Sequence, residues 1–186
     1  MPYYVSADKT VELTNLVTKV KGQIAIATKA LFRDTASGIE NRGPLPPKVN
    51  NPTNFTIHWT IVNYNTDVSN VQVKTSLLSG VRFTSKVKSN ISSLPAYNDR
   101  TGEISWTIDK IPATKGVLGT PVEAIFQVEA TPNITQISQP MPLLSETQLT
   151  AVDDFTQNQI SGYFPAITSE MISDSTFKSG QGMVIQ

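Results

Sequence analysis

Residues 54–65 read Asn-Phe-Thr-Ile-His-Trp-Thr-Ile-Val-Asn-Tyr-Asn, with Phe55, Ile57, Trp59 and Ile61 in one phase of a two-residue period and Thr56, His58 and Thr60 in the other. Successive side chains of a strand point to opposite faces, so this stretch specifies a half-buried β-strand and fits no amphipathic helix. The pattern recurs along the chain. Ile24, Ile26, Thr28, Ala30 and Phe32 alternate with Gln23, Ala25, Ala27, Lys29 and Leu31, and a further strand runs over 71–77 after an Asn- and Asp-bearing turn at 65–70. Residues 80–84 predict a short edge strand. A polar turn ending at Gly102 leads into Ile104, Trp106 and Ile108, and Val122, Ala124, Phe126, Val128 and Ala130 alternate in the same way. Residues 147–152 predict a last strand. The 34–52 stretch holds Pro44, Pro46, Pro47 and Pro52 and predicts a long connection, because proline brings no N–H to a ladder.

About seven short strands at turn-punctuated spacing, with no long amphipathic helix, predict an all-β protein built as a two-sheet antiparallel β-sandwich. The expected core is Trp59, Trp106, Phe55, Phe126, Ile57 and Ile108. Each tryptophan is in phase with aliphatic neighbours, which favours inter-sheet packing over a sugar-stacking platform. Tyr64, Tyr97 and Tyr163 are the aromatic candidates for loops. At 186 residues the chain suits one domain. The expected division is a lead-in or linker over 1–21, a sandwich over 22–172 and a flexible C-terminal tail over 173–186.

Charged residues make up 16 % of the sequence and the formal net charge is zero, with no basic stripe, which argues against a nucleic-acid partner. The absence of cysteine removes disulfides, thiolate metal sites and cysteine nucleophiles. No apolar run is long enough to span a bilayer, and the first residues lack a signal-peptide pattern, as expected of a piece cut from a longer chain.

A resemblance rests on several segments together: Pro-Thr-Asn-Phe-Thr-Ile-His-Trp-Thr-Ile-Val-Asn at 52–63, Val-Ser-Asn-Val-Gln-Val at 68–73, Gly-Val-Arg-Phe at 80–83, Tyr-Asn-Asp-Arg-Thr-Gly-Glu-Ile-Ser-Trp at 97–106 and Pro-Val-Glu-Ala-Ile-Phe at 121–126. In this order they resemble the conserved-repeat, immunoglobulin-like domains of bacterial and archaeal cell-surface proteins, over roughly residues 22–157. The resemblance implies an immunoglobulin-like sandwich located outside the cell, at the surface or in the envelope. It implies a non-enzymatic spacer, stalk or adhesive module, monomeric in itself. Its partners would be neighbouring domains of the same long protein or a host or neighbouring cell surface, with no membrane contact by this segment. It brings no catalytic residues. The alternative from another class is a virion or filament subunit assembling by strand exchange, with residues 1–20 and the tail as exchanged arms.

The chemistry-bearing residues are few. His58 is the single histidine and has no carboxylate near it in sequence, so a partly exposed strand residue is expected instead of a zinc ligand or triad member. No cofactor is expected, with calcium as the one ion considered. Asp153 and Asp154 end the last expected strand, and Asp67 and Asp99 lie in turns, giving a candidate set of hard oxygen ligands. A Lys29–Asn158 isopeptide bond would need a buried carboxylate beside it, whereas Glu123 and Glu129 fall on the polar phase of their strand. The Asn-X-Ser/Thr triplets at Asn54, Asn90 and Asn133 match no more than chance in so Asn- and Thr-rich a chain.

Overall fold

A computed structural model describes residues 20–171, 174 and 176–186. The expected lead-in, apart from Val20 and Lys21, lies outside the described residues. The strands are β1 (Ile24–Leu31), β2 (Thr53–Asn63), β3 (Val68–Ser76), β4 (Val81–Ser89), β5 (Ala96–Asn98), β6 (Glu103–Ile111), β7 (Val122–Ala130), β8 (Pro142–Leu144), β9 (Thr147–Asp153), β10 (Gln159–Phe164) and β11 (Ile167–Thr168).

One sheet has the order β1-β2-β7-β4 and the other β10-β9-β3-β6-β5, with a small β11-β8 pair beside them. Every strand pairing within them is antiparallel. With β1, β2, β7 and β4 standing for A, B, E and D, and β10, β9 and β3 for G, F and C, this is the ABED and GFC grouping of an immunoglobulin-like sandwich. The β5–β6 hairpin adds to the free side of β3. The chain is therefore an all-β, immunoglobulin-like, two-sheet antiparallel sandwich.

The alternation read from the sequence is what fills its centre. Phe55, Ile57, Trp59, Ile61, Trp106 and Phe126 are fully buried and Ile108 nearly so. Trp59 of one sheet stacks on Trp106 of the other with ring centroids 6.4 Å apart, and Phe126 meets Trp59 edge-on at 4.9 Å. Stacking across the sheets adds directional preference to the burial of large rings.

The short strands β5, β8 and β11 were not expected, and four larger stretches also differ from the sequence reading. β4 is nine residues long, and its pairing with β7 shifts register between Phe83 and Val87, where Ser85 takes φ 64°. Such a bulge, with Lys86 and Lys88 exposed on it, guards an edge strand against further pairing. β10 has only Ile160 buried and carries Gly162 inside it, so no alternation announces it. Where a loose tail was expected, Val184 is buried, Ile185 bridges Lys48 in parallel, and Met183 and Val184 bridge Pro140 and Ile137. The 34–52 connection is also better packed than its prolines suggest, with Asp34, Ser37 and Ile39 buried against the outer face of the β1-β2-β7-β4 sheet.

Candidate functional site

His58 projects from β2 to the outer face of its sheet, the phase expected, but it is not a solvated residue there. Its Nε2 lies 2.8 Å from Asp34 Oδ2 on the overlying connection and its Nδ1 lies 2.9 Å from Glu123 Oε1 of β7. The ring is 12 % exposed and the Asp34 side chain 2 %. Ionised carboxylates only accept hydrogen bonds, so both contacts are satisfied together when the imidazole carries a proton on each nitrogen. Burial pushes the Asp34 carboxyl up, but the hydrogen bonds from His58 and Ser37 outweigh it and hold Asp34 below the ordinary aspartate range. No sequence signal pairs these residues, since 24 positions separate His58 from Asp34 and 65 separate it from Glu123.

The same strap is tied at other points. Lys88 of β4 donates to the Ser37 carbonyl. Asn41 Nδ2 lies 3.1 Å from the carbonyls of Leu31 and Phe32, and Gln127 Nε2 reaches the Glu40 carbonyl and Asn41 Oδ1 at 2.8 Å. The arrangement fastens a loop to a sheet. It presents no nucleophile aligned with the imidazole.

The acidic residues singled out from the sequence divide between the two ends of the sandwich. Asp67, Asp153 and Asp154 gather at the end where β1 begins. Asp99 lies in the turn before Glu103, at the far end of nine-residue β6, about 26 Å away at 3.3 Å per residue. Asp153 is fully buried and accepts from Gly22 N–H at 2.7 Å, Phe155 N–H at 2.9 Å and the Thr156 hydroxyl at 2.9 Å. Burial raises its pKa, yet those donors prevail and hold the carboxyl far below the usual range. Asp67 accepts from Ala113 N–H, and Lys110 Nζ stands 2.8 Å from Asp67 Oδ2 and 3.4 Å from Asp154 Oδ2. An ammonium thus occupies the position between these carboxylates that a cation would need. Among the described residues no group of three or more His, Asp or Glu side chains is arranged to hold a metal ion.

Asn63 is buried at this same end, with Nδ2 within 3.2 Å of the carbonyls of Thr66, Ile111 and Pro112. Lys29 lies opposite His58 in the β1–β2 register, while Asn158 gives its carbonyl to Asp153 N–H beside the start of β1, so Lys29 and Asn158 sit towards opposite ends of the strand. Of the aromatics expected in loops, Tyr97 lies in β5 and stacks on Phe83 at 5.2 Å, Tyr163 lies exposed in β10, and Tyr64 is exposed just after β2. No helix of the described residues is long and apolar enough to cross a membrane.

No family model matches the chain, and no curated protein matches it. Among solved structures it is similar to the major pilin subunit BcpA of Bacillus cereus, at 9 % identity and a TM-score of 0.49, over 78 % of this chain and 39 % of that one. It is similar to a C-terminal fragment of the major pilin GBS80 of Streptococcus agalactiae, at 8 % identity and a TM-score of 0.46, over 78 % of this chain and 55 % of the fragment. A GH20 exo-β-N-acetylglucosaminidase from Vibrio harveyi overlaps at 8 % identity and a TM-score of 0.38, over 75 % of this chain and 17 % of the enzyme. The chain spans about half or less of the length of each. These overlaps assign no function to it.

Proposed function

We propose that the chain is a non-enzymatic structural module, a spacer or adhesive domain of a prokaryotic cell-surface protein. One observation carries this reading: the described chain enters and leaves the sandwich at opposite ends. Gly22 is fixed at the Asn63 end of β2 through Asp153, and Ile185 is bridged to Lys48, just before β2 begins at the other end. Eleven residues of β2 separate the two points, about 35 Å at 3.3 Å per residue. A module strung this way adds its long axis to a chain of modules and carries tension along its strands. The internally paired His58, Asp34, Asp153 and Lys110 support a structural role, because each is engaged in holding one segment to another.

The test is antibody labelling of intact source cells before and after mild surface proteolysis. Surface signal that protease removes is expected. Signal that appears only after lysis or in released particles overturns the reading and favours a virion or filament subunit. Light scattering on the purified chain separates the same readings, with a monomer expected for a spacer.

A further inference from the structure

The flank of the sandwich where β1 faces β10 and residues 164–171 is closed along only part of its length. The Gln23 carbonyl accepts from Tyr64 N–H and the Leu31 carbonyl from the Thr56 hydroxyl, both on the β2 side. Backbone groups alternate in direction along a strand, so the odd-numbered residues of β1 bond to β2 and Ile24, Ile26, Thr28 and Ala30 face the flank. The Ile24 carbonyl is covered there by β10, lying 3.4 Å from where a Cβ on Gly162 would stand. Beyond it β10 gives way to Pro165, and a cavity of about 180 Å³ separates Thr28, Lys29 and Ala30 from Phe164, Ile167 and Met171.

Among the described residues β1 pairs with β2 alone, and no turn or loop hydrogen bond reaches the backbone of Thr28 or Ala30. The Thr28 hydroxyl, on a residue 2 % exposed that lines this cavity, has no partner either. Buried polar groups are ordinarily paired, and an unguarded edge is a template for another strand. The β4 and β5 edges are managed. β4 carries its bulge and lysines, and β5 is three residues long. The two rims of the cavity carry opposite charges, Lys29 on β1 and Glu170 beyond β11.

We propose that this seam accepts an extended peptide segment from another polypeptide chain. The segment pairs as a short added strand with Thr28 and Ala30, sets one aliphatic side chain against Phe164, Ile167 and Met171, and places an acidic residue beside Lys29 and a basic one beside Glu170. The inference stands on the edge geometry and is independent of where the protein resides.

The experiment is amide exchange and chemical-shift mapping by NMR on the whole chain, alone and with the probe acetyl-Thr-Asp-Val-Lys-Thr-amide at millimolar concentration. In the free chain the Thr28 and Ala30 amides are expected to exchange much faster than those of Ala27 and Lys29, and the probe is expected to protect and shift them. Ala30→Pro removes an N–H that β2 does not use; the variant is expected to fold and to lose the probe. Lys29→Glu, on the exposed face, decides the matter should Ala30→Pro unfold, and is expected to weaken the probe several-fold. Protection of Thr28 and Ala30 in the free chain, no binding of the probe, or binding indifferent to Lys29→Glu overturns the proposal.

Discussion

Asp153 and Asp34 are both aspartates buried in a β-protein, and they are stabilised by opposite means. Asp153 is held by three backbone N–H groups and a hydroxyl, none of which titrates between acid and mildly alkaline pH. Asp34 is held by the imidazole of His58 and, through Ser37, by its own loop. A charge anchored by fixed dipoles makes a permanent joint. A charge anchored by another side chain makes a joint that one substitution on a neighbouring strand can undo, and only the second lies over a surface that the strap covers.

The largest effect is expected of Asp153→Ala, which removes the buried acceptor shared by the Gly22 and Phe155 N–H groups and the Thr156 hydroxyl. A loss of about 3 kcal/mol is expected in denaturant unfolding, the same at pH 6 and pH 9. Because its folded pKa is depressed, the stabilisation from Asp153 is complete above the unfolded aspartate value, near 3.9, and fades only as pH falls well below it. A loss no larger than that of His58→Gln would erase the contrast between the two joints.

His58→Gln is expected to cost less, about 1–2 kcal/mol, since one ring nitrogen's contact is lost while the amide can still donate to Asp34. Asp34 has a depressed pKa, so its contribution is present above the unfolded value and lost as pH falls through the folded one. Urea unfolding through the acid range reads this loss, which is expected to shrink in His58→Gln because the imidazole bond is the chief one depressing Asp34. An undiminished loss would move the titration elsewhere.

The smallest effect concerns the end where Asp67, Asp154 and Lys110 meet. Lys110→Met is expected to change unfolding little, because the pair is solvent-accessible and screened. Calcium must displace the ammonium to bind there, so millimolar calcium is expected to leave the wild-type melting temperature unchanged and to raise it only in Lys110→Met. A calcium-dependent rise in the wild type would revive the site expected from sequence, without Asp99.

The sandwich was legible because strand alternation is local. Phe55 through Ile61 and Val122 through Ala130 announce their inward faces within a few residues, and Trp59 and Trp106 declared themselves core by phase. Elements whose stability comes from distant partners were not legible. β10 has a single buried side chain and is made a strand by β9. The Met183–Ile185 segment looks like a glycine-flanked tail until Lys48 and Pro140 are placed beside it. His58 is the clearest case: its phase was correct, yet its two carboxylates arrive from elements far away in sequence. The acidic quartet failed to converge because sequence shows that residues lie in turns without showing at which end of the sandwich each turn lies.

The bridge between Lys48 and Ile185, with the Gly22–Asp153 bond spanning 131 positions, also has a consequence in time. Both join segments from the beginning of the described chain to segments near its end. Such closures fix a long loop before they return any energy, which slows folding. During synthesis β1 and β2 can pair early, but neither end of the sandwich can be sealed until nearly all of the chain has emerged. The face beneath the strap would stand open meanwhile, so emergence of the Met183–Ile185 segment, more than formation of the first hairpin, sets the moment at which the module closes at both ends.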